Sequence, residues 1–342
     1  MKIASGAVAR PVFDHLYRMS DGRGVFEHAR HGEPRPEHGY CLDDVARALV
    51  VVCREPCPSP ELRLLGRRFL DFTVSALHPD GSCHNRMDSS GAWSDVPAVG
   101  DWWGRAVWGL GVAAVRAPTP AMRGRALLGF RTAARCRSRH MRAMAYAALG
   151  AGELLQARPD ELAARHLLLD AVVALGAVAA DPAWPWPEPR LTYSNATLAE
   201  ALLVAGEALP DRAARNRGLH LLLFLLGVET RRGHLSVTPV GGRGPSDPRP
   251  GFDQQPIEAA ALGAACAQAY ESTDDTHWLD GLQMSWAWFL GDNDASTPMF
   301  DPSTGAGFDG LERHGRNLNQ GAESTLAALS TAQHVQRLVP LD

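Results

Sequence analysis

Lysine is almost missing from this chain. Among 34 basic residues only Lys2 is a lysine, and the rest of the positive charge is arginine. With the high alanine content this points to base composition of the coding sequence and says little about ligand. Cysteine is also scarce: the six residues Cys41, Cys53, Cys57, Cys83, Cys136 and Cys266 contain no CxxC pair, which excludes a disulfide scaffold and a paired-thiolate zinc site. They are expected to be reduced thiols. No run approaches the roughly 18 apolar residues that a membrane helix requires. Met1 to Arg10 also lack an apolar stretch followed by a small-residue cleavage site, so a membrane association is not expected and the location reads as cytoplasmic.

Other signatures are missing as well. The sequence contains no HExxH, and Gly241, Gly242, Gly244 and Gly251 follow neither GxGxxG nor GxxxxGK[ST] order, so neither a metal nor a nucleotide cofactor is expected. His28, His31, His38 and Cys41, with Glu27 nearby, concentrate metal-capable groups without a ligand spacing. The glycines Gly241, Gly242, Gly244 and Gly251, interleaved with Pro245, Pro248 and Pro250, read as a mobile loop. A formal charge of −4 gives no basic footprint for nucleic acid.

What the chain does contain is helix. With 45% hydrophobic and 21% charged residues it has ample core material. Apolar residues recur at helical spacing over twelve segments, with almost no convincing strands. The spacing predicts helices over 8–18, 43–54, 60–77, 102–115, 119–135, 140–155, 159–178, 196–207, 210–228, 256–271, 275–291 and 320–337. Links after even-numbered helices are short and rich in stop-and-start residues, as at Pro56 to Pro60 and Pro210 with Asp211. Those before even-numbered helices are mostly long, and the even helices are alanine-rich. Short links imply antiparallel neighbours, so the long loops emerge on one face and the small residues suit a crowded inner ring. The expected fold class is all-α: residues 1–342 as one (α/α)6 toroid domain of six inner and six outer helices. A solenoid of helix pairs fits less well, because no consensus recurs at a fixed period.

A polar or aromatic cluster stands before each even helix. The clusters include His38, Tyr40, Asp43 and Asp44; Asp101, Trp102, Trp103 and Arg105; Arg139, His140 and Arg142; Tyr193 and Asn195; Asp253, Gln254, Gln255 and Glu258; and Asn317, Asn319, Gln320 and Glu323. Asp43, Asp101, Asn195, Asp253 and Asn319 suit helix capping, yet capping needs one short side chain per helix and leaves the other acids, amides and aromatics unexplained. Aromatic faces with carboxyls, amides and arginines suit a sugar, and glycosidic cleavage needs two carboxyl groups. An oligosaccharide or glycan is therefore the expected partner, with Trp184 and Trp186 of the loop before the fourth even helix as further stacking surfaces or a lid clamp.

Roles follow from environment. Asp44, near a helix N-terminus, is favoured as a carboxylate base; Asp101, beside two tryptophans, is placed to keep its proton as an acid. Glu258, Glu323 and Asp253 compete for either role. Asp43 and Arg47 have the i,i+4 spacing of an ion pair, whereas Arg105 is positioned to orient a carboxylate or meet an anionic sugar.

The strings HGYCLDDVARAL, GDWWGRAVWGLG, LTYSNATLAEALL, FDQQPIEAAAL and NLNQGAESTLAAL resemble a family of bacterial (α/α)6 proteins related to glycosidases and often described as glycosyltransferase-associated. The likeness spans nearly the whole chain and implies the toroid and a carbohydrate context. GDWWGRAVW is also similar to the WxRGxxW stretch of unsaturated glucuronyl and rhamnogalacturonyl hydrolases, where an Asp before the motif is catalytic, and this implies a role for Asp101. Glycoside hydrolysis is the leading expectation. Its rivals are a sugar epimerase or isomerase using His38, His84 or His140, and a non-catalytic glycan-binding partner of a polysaccharide-biosynthesis enzyme. Terpene-type chemistry lacks the further Asp of a DDxxD site after Asp43 and Asp44.

Overall fold

The computed structural model describes residues 10–176 and 181–339. Their helices are α1 (Asp14–Arg18), α2 (Leu42–Arg54), α3 (Pro60–Ser75), α4 (Asp101–Arg116), α5 (Pro120–Ala133), α6 (Met141–Ala157), α7 (Leu162–Leu175), α8 (Ala196–Ala208), α9 (Arg212–Glu229), α10 (Pro256–Thr273), α11 (His277–Leu290) and α12 (Ala322–Leu338). The expected helices recur with ends shifted by a few residues. The exception is the first, which is a single short turn; residues 8, 9, 177 and 178 of the expected spans lie outside the described residues.

The even helices pack in a closed cycle, α2 on α4, α6, α8, α10, α12 and back to α2, and each of α3, α5, α7, α9 and α11 lies outside the helix before it. This is the six-plus-six toroid. Burial separates the rings: thirteen of the seventeen residues of α6 are buried, against five of the fourteen of α7. Outer-helix aromatics Phe69, Phe130 and Phe289 are fully buried between the rings, each contributing about 1.5–3 kcal/mol.

Small residues let the inner helices approach. An added Cβ at Gly111 would collide with the backbone of Gly150, and one at Gly150 with that of Val107. Gly150→Val is accordingly expected to lower unfolding free energy by about 1–3 kcal/mol in urea titration, because an overpacked contact against backbone cannot relax by rotamer change; an unchanged midpoint would show that α4 and α6 can separate.

The two ends of the ring are built differently. Three outer helices, α3, α5 and α9, begin with side-chain caps: Ser59 Oγ accepts from Leu62 N (3.1 Å), Thr119 Oγ1 from Met122 N (3.2 Å), and Asp211 Oδ1 from Ala213 N (2.9 Å) and Ala214 N (3.1 Å). None of the inner helices has a capping side chain. Their first turns face the end from which the long loops emerge. Those loops carry the only strands among the described residues, ten of two residues each in five antiparallel pairs. One pair joins Tyr40–Cys41 to Arg86–Met87 and so stitches the loop before α2 to the loop before α4.

Along the axis runs a lumen of about 60 Å³ lined by Arg47, Trp108, Tyr146 and Glu200, among others. Glu200 is 6% exposed, and burial pushes its carboxyl up to about 7 against the opposing pull of Arg54. An unfolded glutamate releases its proton near 4.3, so between those values the folded state binds more protons than the unfolded one. Stability must therefore fall as pH rises from about 4.5 through 7. Melting temperature is expected to be lower at pH 8 than at pH 5, and Glu200→Gln to remove up to about 3 kcal/mol of that difference. A variant as pH-sensitive as the parent protein would refute this.

Candidate functional site

The first turns of the inner helices hold a continuous polar network. On one side, Arg47 of α2 is clamped between Asp44 Oδ1 (2.6 Å) and Glu323 Oε2 of α12 (2.8 Å). Arg105 of α4 pairs with Asp43 Oδ1 (2.8 Å), and its guanidinium lies 4.6 Å from the ring centre of Tyr146 on α6. The Tyr146 hydroxyl meets Ser194 Oγ at 2.6 Å. On the other side, Arg142 of α6 donates to both carboxylate oxygens of Glu188 (2.9 and 2.8 Å), to Asn195 Oδ1 (3.1 Å) and to the Tyr193 carbonyl. Glu258 of α10 accepts from the backbone N–H groups of Ser194 and Asn195 and from Asn195 Nδ2 (3.0 Å). Six helix beginnings are thus joined by charge-assisted contacts.

Within this network the acids differ sharply. Asp43, Asp44, Glu258 and Glu323 are all held by arginine or by backbone N–H. Asp101, at the first position of α4, is half-buried and has no hydrogen bond to the described residues. Burial raises its carboxyl above the usual range, with Arg105 pulling the other way and Asp43 adding to the rise. Asp44 is 3% exposed; burial outweighs Arg47 and lifts it to about 7. Burial likewise raises Glu258, with the nearby Glu229 reinforcing it. Asp253 is exposed.

Several expected ligand contacts are displaced by packing. Trp103 is fully buried and turned outward, its indole N–H donating to Ala133 O of α5 at 3.1 Å. Trp184 and Trp186 are buried against Phe224 of α9, so of the two readings of that loop the clamp matches its place. Tyr40 is 1% exposed, stacks on Phe26 and donates its hydroxyl to Asp21 at 2.6 Å. Gln254 is fully buried and spans Gly251 O, Asp294 and the Trp288 indole. None of these five presents a face to a ligand in the mouth. Trp102 and Tyr193 remain partly accessible.

The remaining positions are split between surface and scaffold. Gln255 stands half-buried at the start of α10. Asn317 Oδ1 accepts from Asn319 N, and Asn319 Oδ1 from His31 N (both 2.9 Å), while Gln320 joins the same loop through its backbone to His31 and His15; these amides stitch loops together. His38 is exposed against His28, His84 is tied to Asp95 and stacked on Trp93, and His140 is exposed at the start of α6. The expected i,i+4 pairing of Asp43 with Arg47 is replaced by Asp44 and Glu323, because α12 brings its own acid to the buried guanidinium. The capping role foreseen for the mouth acids is also corrected: the N-cap residues of α2, α4, α10 and α12 are Cys41, Gly100, Gln255 and Gly321, and Asn195 of α8 caps without a side-chain bond.

Tyr146, Glu188 and Ser194 are site residues that sequence reading missed. Tyr146 carried a signal, a phenol four residues after Arg142 in a run of alanines. Glu27, Cys41 and Asp44 bring three possible metal-ligand atoms within 4.8 Å of one another. Arg86 already pairs with Glu27 and Arg47 with Asp44, and burial pushes the Cys41 thiol up, so the trio is a neutralised cluster poorly suited to a cation. All six cysteines are free, and no helix among the described residues is long and apolar enough to cross a membrane.

No protein-family model matches the sequence, and no curated protein matches it. Solved structures do. A sugar epimerase from a ruminal bacterium aligns over 96% of both chains with TM-score 0.69 at 13% identity, and a D-mannose isomerase over 95% of both with TM-score 0.69 at 12%. A cellulase of C. cellulolyticum in complex with cellobiose aligns over 93% of this chain and 88% of its own with TM-score 0.63 at 10%. At such identities the likeness speaks to architecture, and it places this chain in the six-hairpin (α/α)6 toroid fold.

Proposed function

We propose that this protein is a carbohydrate-active enzyme that moves protons on a sugar held at the mouth of the toroid. The observation that carries this is Asp101, a half-buried, unpaired carboxyl of raised pKa on a rim where Asp43, Asp44, Glu258 and Glu323 are held by arginine or backbone N–H and Asp253 is exposed. A free acid held near its proton is suited to donate or accept one at the reacting atom. Trp102 and Tyr193 supply apolar faces for the sugar, and Arg105 with Asp43 fixes the field around Asp101.

Two reactions use such a group. Epimerisation or isomerisation of a free sugar is favoured by the similar structures, the first two of which are a sugar epimerase and an isomerase. His140, exposed on the same rim and close enough to act on the charge of Asp101, supplies a second proton-transfer group for it. Hydrolysis of a glycosidic bond is favoured by the density of carboxyls, with Asp44, Glu258, Glu323 and Asp253 as partners for Asp101. We place isomerisation first.

One experiment separates them. Free aldoses and ketoses and a panel of mannosyl, glucosyl and uronyl oligosaccharides are incubated with the protein and followed by NMR and reducing-sugar assay. Interconversion of isomeric sugars without bond cleavage, with solvent deuterium entering the sugar when the reaction is run in deuterium oxide, is the expected result; release of new reducing ends would replace it with hydrolysis. Glycan binding without turnover of any member would reject the enzymatic reading in favour of a binding partner.

A further inference from the structure

The opposite end of the toroid, where the inner helices finish, holds a cavity of about 600 Å³ to which all six inner helices contribute side chains. The size falls within the range of about 300–1,000 Å³ usual for small-molecule sites. Most of its charges are mutually satisfied. Arg116 and Arg54 pair with Glu153, Arg337 with Glu271, and Glu207 with Arg215 and Ser272.

One charged group is left over. Glu200, shared between this cavity and the axial lumen, is 6% exposed and has no hydrogen bond or ion pair to the described residues. Gln333 Oε1 and His334 Nε2 also lack partners, but both atoms are closed off from the cavity. A buried polar group without a partner costs about 1–3 kcal/mol, more for a charged one, and an unpaired carboxyl facing a cavity of this size points to a ligand that completes it.

We propose that this rear cavity is a second, non-catalytic binding site for a small organic ammonium compound, whose ammonium donates to the Glu200 carboxylate. A plain sugar fits it less well, since no Phe, Tyr or Trp lines the cavity. The cavity opens away from the mouth, and Asp101 does not line it.

The test compares 2-amino-1,3-propanediol with glycerol, its neutral counterpart with a hydroxyl in place of the amine, by isothermal titration at pH 8. The amine is expected to bind with one-to-one stoichiometry and glycerol at least tenfold more weakly. Glu200→Gln should weaken the amine at least tenfold, and Gln268→Trp, which fills the cavity and leaves Glu200 in place, should do the same should the first variant fail to fold. Asp101→Asn should leave binding unchanged. Equal affinity for the amine and glycerol, absence of amine binding to the parent protein, or loss of binding in Asp101→Asn but not in the rear-cavity variants would overturn the assignment.

Discussion

Asp101→Asn is expected to lower turnover by about 10²–10⁴-fold on whichever sugar the panel identifies, the range a single proton-transferring side chain usually supplies. The amide keeps the size and polarity of the carboxyl and removes its proton chemistry. Because Asp101 makes no hydrogen bond to the described residues and stands at the edge of α4, melting temperature should hardly move. KM should change little, which distinguishes loss of chemistry from loss of binding. Asp253→Asn offers the contrast: an exposed acid whose replacement should cost much less. Equal, small losses in both variants would remove Asp101 from the reaction and with it the basis of the proposed function.

The second large effect is on stability. Arg47 lies between Asp44 and Glu323 with 11% of its side chain exposed, and removing it would leave a nearly buried carboxylate and a half-exposed one close together without a counter-charge. Breaking a buried ion pair from one side costs about 3–5 kcal/mol, and Arg47→Met is expected to lie in that range by urea unfolding. Adding Asp44→Asn to Arg47→Met should restore part of the loss, since the stranded charge is then gone. Arg47→Lys should fall between, because an ammonium lacks the fork that reaches two carboxylates in different directions. A loss below about 1 kcal/mol, the level of a surface pair, would mean that water reaches the guanidinium freely.

How much of this was legible beforehand varies residue by residue. Helix positions were readable because the periodicity of Leu, Val and Ala and the start signals at Ser59, Thr119 and Asp211 are local properties. The collection of Asp44, Asp101, Glu258 and Glu323 at one end followed from the alternation of short and long links, which sets strand-free antiparallel neighbours without coordinates. Trp103, Trp184 and Trp186 were readable only as aromatics near a mouth. Whether an indole meets ligand or core depends on a rotation of about 100° around the helix or on the path of a loop, and neither has a local signature.

Sequence by itself thus determined the helical class, the inner and outer alternation and the end of the ring where acids gather, since each depends on spacing along the chain. Tertiary structure decided which acids are left without a partner, that Arg47 answers to α12 as well as to its own helix, and that a cavity reached by one unpaired acid, Glu200, lies at the far end. The reason is that an inner helix such as α6 is buried on nearly every side. With no exposed face there is no apolar stripe to show which side chains point to the axis, and their partners come from elements between 46 and 276 residues away, as for Arg142 with Glu188 and Arg47 with Glu323.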